Sequence, residues 1–220
     1  MSLRISGWIG LAQCNNLIRH LVNPREVRKI PPRAASVLST LMIIIMAGLP
    51  GTGKSTLARA LAQRLQGAIL DKDTIRASLF QPAYVEYSVS QDDFCQEIML
   101  QTAGYLLTKD AGLHVLLDGR TFSRRYQRER VVEFCSQVGT RWAMLECVCS
   151  EATALARVKE AMEANSHFAA NRTPKLYRDI RNAWEPIDHP RLVIDTDADL
   201  ELCVDRALHY LTAETFVTES

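Results

Sequence analysis

Gly48-Leu49-Pro50-Gly51-Thr52-Gly53-Lys54-Ser55 is the stretch on which the fold of this chain turns. It satisfies G-x-x-x-x-G-K-[ST] at every position and has both flanks that give such a match meaning. Before it runs Leu41-Met42-Ile43-Ile44-Ile45-Met46-Ala47, a continuous apolar segment of β-branched character, as expected of a strand buried on both faces. After it, Lys54 to Gln66 reads as a helix with Leu57, Ala60, Leu61 and Leu65 on its inner side and Gly67 as its stop. A strand, a glycine-rich turn and a helix in this order let consecutive N–H groups point inward, where the helix dipole also favours an anion.

Phosphate is the anion this arrangement suits. Gly48, Gly51 and Gly53 permit the backbone conformations, Lys54 is placed to neutralise β- and γ-phosphates, and the Ser55 hydroxyl is a ligand for Mg²⁺. Pro50, Thr52 and Thr56 complete the expected phosphate-binding set, so ATP and Mg²⁺ are the expected cofactors.

Outward from the loop, strands and helices alternate. Ala68-Ile69-Leu70 reads as a second strand, with Asp71-Lys72-Asp73 opening a helical turn, and Gln91 to Thr108 reads as a long helix carrying Phe94, Ile98, Ala103 and Leu107 inward. Leu113 to Leu117 is a third strand ending at Asp118-Gly119, followed by a helix from Ser123 to Gln137. Trp142 to Cys149 is a fourth strand and Glu151 to Ala164 a helix; Asn165 to Thr173 is a loop; Pro174 to Trp184 is helical. Leu192 to Ile194 is a fifth strand, and Asp199 to Leu211 the closing helix. Alternation at this spacing predicts βαβ units around a parallel sheet.

With 220 residues, 47% hydrophobic and 23% charged, the chain suits one soluble α/β domain with some added material. No run approaches the ~18 apolar residues of a membrane span. The six cysteines include no C-x-x-C pair, which disfavours zinc and a disulfide framework and points to a reducing, cytoplasmic setting. Cys147 and Cys149 are expected to share one strand face as small buried hydrophobes. Residues 1–40 carry a net charge of +5 and the remainder −4. This basic start, with Ile5, Trp8, Ile9, Leu17, Ile18 and Leu21 in amphipathic array, resembles a transit peptide but reads more simply as an arm preceding a domain of residues 41–220. A mildly acidic body disfavours avid binding of long nucleic acids.

Three further places bear on chemistry, because ligands sit at the carboxyl ends of parallel strands. Asp73 is placed to accept a proton from a substrate hydroxyl, with Arg76 one turn along on the same side; Asp71 is a further substrate contact, and an Asp here also suits a helix N-cap. Asp118 ends an apolar strand where a Mg²⁺-holding carboxylate is expected. Arg120, at that same strand end, is the expected substrate contact among Arg120, Arg124, Arg125, Arg128 and Arg130, the others reading as a solvated face. A lid is expected over Met162 to Lys175, with Arg157 entering it and Arg172 within it as candidate phosphate contacts. His114 reads as a satisfied core histidine.

GLPGTGKSTLA (Gly48–Ala58), DKDTIR (Asp71–Arg76), VLLDG (Val115–Gly119), the arginine-rich helix and LVIDTD (Leu192–Asp197) together resemble the P-loop kinases of the AAA-domain or zeta-toxin-like group. That group includes polynucleotide, gluconate and adenylylsulfate kinases and chloramphenicol phosphotransferase. The resemblance covers Met42 to about Leu211. It implies a three-layer P-loop NTPase fold, a five-stranded parallel sheet with the loop strand central, and ATP-dependent transfer to a hydroxyl. It also implies that Asp73 and Arg76 are catalytic and that Asp195 and Thr196 lie near the adenine. The expected acceptor is a small hydroxyl compound; a nucleic-acid 5′ end and a nucleotide-dependent regulatory protein are the alternatives. No oligomeric state follows from the sequence.

Overall fold

The computed structural model describes residues 42–110, 112–163 and 173–213. The expected arm over 1–40 and most of the expected lid, including Arg172, fall outside the described residues.

The first strand, β1 (Met42–Ala47), is buried at all six positions. Because side chains alternate along a strand, Met42, Ile44 and Met46 enter one hydrophobic layer while Ile43, Ile45 and Ala47 enter another. A fully buried isoleucine contributes roughly 1.5–3 kcal/mol, so apolar residues on both sides suit this segment to the middle of a sheet. The other strands are β2 (Ala68–Asp71), β3 (Val115–Asp118), β4 (Arg141–Val148) and β5 (Leu192–Asp195), and the order is β2-β3-β1-β4-β5, all parallel.

Helices cover both faces. α1 (Lys54–Leu65) and α7 (Leu200–Thr212) supply Leu57, Leu61, Val204 and Ala207 to one layer. α3 (Val89–Lys109) and α4 (Arg125–Val138) supply Met99, Leu100, Val131 and Phe134 to the other. The remaining described helices are α2 (Lys72–Leu79), α5 (Glu151–Glu163) and α6 (Pro174–Asn182). The three-layer α/β architecture, the five parallel strands and the central loop strand are all as expected.

Several local expectations need correction. α1 ends at Gln66, which takes the left-handed conformation at φ 50°, and not at Gly67. Gly67 serves close packing instead: a Cβ there would lie 2.9 Å from the carbonyl oxygen of His114. On α3, Ala103 and Leu107 are buried as expected, but Phe94 is 37% exposed and Ile98 is half-buried. The inward face begins at Cys95 and Met99, and two polar residues share it because they bond neighbouring backbone: Gln91 Nε2 donates to the Tyr84 carbonyl and Gln96 Nε2 to that of Gln127 in the first turn of α4. Phe94 packs edge-on against Phe80. Cys147 is buried in the core, whereas Cys149 lies beyond the end of β4 and is only half-buried. His114 is half-buried ahead of β3, with no hydrogen-bond partner for Nδ1 among the described residues.

The arginine-rich helix departs furthest. α4 starts at Arg125 rather than Ser123, because Phe122 turns into the core at φ 52° and the chain stays extended through Arg124. Arg128, expected in a solvated face, is fully buried. Its guanidinium donates to the carbonyls of Phe122 (2.8 Å) and Pro186 (2.7 Å), tying the β3–α4 connection to the segment before β5. Replacing it leaves the buried Phe122 carbonyl and the part-buried Pro186 contact without a donor, so Arg128→Met is expected to lower the unfolding free energy in urea by roughly 1–3 kcal/mol. A midpoint unchanged from wild type would show that these two bonds hold nothing together.

Candidate active site

The phosphate loop is seated directly on neighbouring backbone. A Cβ on Gly48 (φ 138°) would lie 2.3 Å from the Cys147 carbonyl oxygen, and one on Gly51 (φ 79°) would lie 2.3 Å from that of Ala154. Only glycine fits either position. The Gly48 N–H donates to the Thr121 carbonyl at 3.1 Å, so the loop is also tied to the connection after β3. Lys54 is buried at the start of α1, and its Nζ donates to the carbonyls of Gly48 (2.8 Å) and Leu49 (2.7 Å), drawing the loop around its own cation. Thr52 is buried and donates to Leu49; Ser55 is half-buried and Thr56 exposed, while Pro50 lines the cavity described below. The opening N–H groups of α1 complete the anion cradle.

On the far side of the loop, Thr196 Oγ1 donates to the Thr52 carbonyl at 3.1 Å. Arg157, from α5, reaches Thr196 Oγ1 at 3.0 Å, the Thr196 carbonyl at 2.9 Å and the Gly51 carbonyl at 3.4 Å. The loop, Thr196 and Arg157 are therefore brought together as one group. Asp195, at the end of β5, accepts from the Asp197 N–H.

Asp71 and Asp118 end neighbouring strands at the same register. Asp71 caps α2, its Oδ1 accepting from the Thr74 N–H at 2.6 Å, which is the N-cap role that its position also suggested. Asp118 is buried, and its Oδ1 has no hydrogen-bond partner among the described residues. A buried carboxylate oxygen without a donor suits a hard cation or a water on one, so the chemistry of Asp118 fits the Mg²⁺ role expected of it.

Asp73 and Arg76 meet as the one-turn spacing predicts: Arg76 Nη1 lies 2.6 Å from Asp73 Oδ1, and both side chains are almost fully buried. Around this pair the structure assembles groups that the sequence did not reveal. Lys72, also buried, lies 3.3 Å from Asp73 Oδ1 and 2.9 Å from Asp92 Oδ1 of α3. The same Asp92 oxygen takes Arg76 Nη2. Arg120 is buried beside them, bonded to Asp93 Oδ1 (2.5 Å), Gln96 Oε1 (2.8 Å) and the Asp92 carbonyl (3.1 Å). Three cations and three carboxylates thus interlock at the carboxyl end of β2 and β3. Arg124 stands apart, paired with Glu185, whose other oxygen takes the Arg125 N–H at 2.6 Å and so caps α4.

A cavity of about 450 Å³ opens over this cluster, and Pro50 and Lys54 of the loop line it along with Lys72, Asp73, Arg76 and Arg120. Loop and charge cluster therefore share one space, while Thr196 and Arg157 lie outside its lining.

Burial pushes the Lys72 ammonium down to about 8; Asp73 opposes this, and Arg76 and Arg120 add to it. Between pH 8 and the ordinary value near 10.5 the unfolded chain then binds the extra proton, so this group makes stability rise with pH across that window. Urea unfolding of wild type, referenced to Lys72→Met, is expected to show a positive slope of at most about 1.4 kcal/mol per pH unit there and none below it. A negative slope would contradict the buried, strained ammonium.

Asp92 and Asp93 carry no motif of their own, and acids near the start of a helix already have an ordinary explanation in the helix dipole. The signal that existed was Lys72, a lysine set between Asp71 and Asp73 at a strand end.

The family model described as AAA domain matches residues 43–173, more than half of the chain. The chain belongs to the AAA domain family. This agrees with the resemblance drawn from Gly48–Ala58 and Asp71–Arg76. No curated protein matches the chain. Among solved structures, a candidate kinase of Chloroflexus aurantiacus is 22% identical with a TM-score of 0.62, covering 78% of this chain and 98% of its own. The Mycobacterium tuberculosis APS kinase in complex with AMPPNP and APS is 16% identical with a TM-score of 0.60, covering 80% and 99%. Chaetomium thermophilum Kti12 in complex with ADP-AlF3 is 17% identical with a TM-score of 0.54, covering 76% and 97%. At these identities the likeness is one of fold. Among the described residues no helix of this AAA domain is long and apolar enough to cross a membrane.

Proposed function

We propose that the protein is an ATP-dependent kinase that transfers the γ-phosphoryl group to a hydroxyl of a small-molecule acceptor. The observation that carries this reading is the shared cavity: Asp73 and Arg76 line the same space as Lys54 and Pro50 of the phosphate loop. Nucleotide-bound neighbours such as the APS kinase and Kti12 support ATP as the donor.

In this reading the backbone of Gly48 to Ser55 holds the phosphates, and Lys54 leaves its two loop carbonyls for phosphate oxygens. Ser55 and Asp118 hold Mg²⁺, which when bound neutralises charge on the phosphates. Thr56, Asp195, Thr196 and Arg157 form the nucleotide side of the site, where Arg157 steadies Thr196 and Gly51. Asp73 takes the acceptor's hydroxyl proton as the new O–P bond forms; the bond from the γ-phosphorus to the bridging oxygen breaks, and ADP leaves. Arg76, already directed by Asp73 and Asp92, faces the charge that develops on the transferring group. Asp71 and Arg120 flank the acceptor. Residues 41–220 form this kinase domain and residues 1–40 an appended arm. The five described cysteines are unpaired, which supports a reducing, cytoplasmic setting.

Asp73→Asn keeps the shape of the side chain while removing the base. It is expected to leave ATP affinity within about threefold of wild type and to lower transfer about 10²–10⁴-fold. Normal turnover with the acceptor in that variant would remove Asp73 from the base role.

A further inference from the structure

The cavity has a charged floor and apolar walls, and the walls identify an acceptor class. On one side, α6 presents Leu176 and Ile180, spaced i, i+4 and therefore on one helix face, and Ala183 follows at its C-cap. All three are only half-buried and line the cavity, whereas Tyr177 turns inward to the protein. The other wall carries Tyr87, Val89 and Tyr126. Val89 is 64% exposed and Tyr126 46%, so these are large apolar surfaces that the fold itself leaves uncovered. Tyr87 is held at φ 51°, a left-handed conformation uncommon for an aromatic residue, with its ring 5.1 Å from the Arg76 guanidinium. The ring thus lies against the Arg76 guanidinium while lining the cavity.

The polar groups on these walls are already engaged. Thr121 Oγ1 donates to Ser123 Oγ, Gln127 Oε1 accepts from the Arg124 N–H, Arg124 pairs with Glu185 and Asp179 with Lys175. Tyr126 donates its hydroxyl to Asp93. An acyclic polyol requires a partner for each hydroxyl it buries, and Leu176, Ile180, Ala183 and Val89 offer none. A flat ring, by contrast, covers apolar wall on both faces and needs polar contact only at its reacting end.

We propose that the acceptor carries a flat, largely apolar ring held between the α6 stripe and the Tyr87–Val89–Tyr126 wall, with its hydroxyl directed at Asp73. This rests on the kinase reading for the word acceptor but not for the binding site itself. The ring pocket is distinct from the adenine side, because Thr196 and Arg157 are not part of the cavity lining.

The test separates binding from turnover. Wild-type protein saturated with AMPPNP and Mg²⁺, so that the nucleotide site is filled, is offered two sets of hydroxyl compounds at equal concentration. One set is ring-bearing (2-phenylethanol, 2-naphthylmethanol, uridine) and the other polyol (gluconate, ribitol). Saturation-transfer NMR is expected to show binding of ring compounds and at least tenfold weaker binding of polyols. Ile180→Glu and Tyr126→Ser, each checked for native circular dichroism and for retained AMPPNP binding, are expected to weaken ring binding tenfold or more. Equal or tighter binding of polyols, no ring binding, or ring binding indifferent to both substitutions overturns the proposal. ADP formation from ATP is measured separately on the same panel. Turnover confined to polyols overturns the ring class and leaves the kinase reading intact. Ring binding that responds to both substitutions without ADP formation supports the pocket and counts against the kinase reading.

Discussion

The contact between the phosphate loop and the backbone of its neighbours is the constraint on which the rest of this structure depends. Gly48 lies against the Cys147 carbonyl and Gly51 against that of Ala154, each too close for any side chain. The loop can lie there only if β4 continues past the end of β1 and α5 starts immediately beyond it. That placement requires β1 to be central, and β1 can be central because all six of its residues are apolar. The Gly48 N–H to Thr121 bond then fixes the opposite side of the loop to the connection after β3. One dense packing arrangement thus decides where the strand ends, the cation Lys54 and the candidate metal-holding Asp118 stand relative to one another.

The charge cluster beside the loop is the second determinant. Burying Lys72, Arg76 and Arg120 would cost several kcal/mol per ion without partners, and Asp73, Asp92 and Asp93 supply them. The mutual pairing ties Arg76 to both Asp73 and Asp92, so Asp73 and Arg76 are directed before any ligand arrives. A preorganised set of charges avoids reorganisation during phosphoryl transfer, and this is the physical reason to prefer a catalytic reading of the cluster over a merely structural one.

Much of this was legible in the residues. Alternation of apolar strands with amphipathic helices predicted the parallel sheet, and the G-x-x-x-x-G-K-[ST] spacing predicted the loop. The i, i+3 separation put Asp73 and Arg76 on the same side of their helix, and the ion pair between them is what the structure adds. What escaped was long-range or compensated. Arg128 looked solvated because nothing in its helix reveals the two carbonyls, of Phe122 and Pro186, that receive it. The start of α4 shifted by two residues because Phe122 is drawn into the core, a tertiary demand invisible to local pattern. Periodicity alone puts Phe94 inside, whereas Gln91 and Gln96 take the inner face to satisfy the carbonyls of Tyr84 and Gln127. Asp92 sits 20 residues beyond Lys72 and shares no local motif with it.

In the proposed function, Gly48 to Ser55, closed around Lys54, holds the phosphates of a nucleotide. Calorimetric titration of wild type and Lys54→Ala with AMPPNP in the presence of Mg²⁺ tests this. Wild type is expected to bind saturably and the variant to lose roughly 30-fold or more in affinity, the cost of removing a desolvated charge contact. Equal affinity of the two proteins for AMPPNP would contradict it.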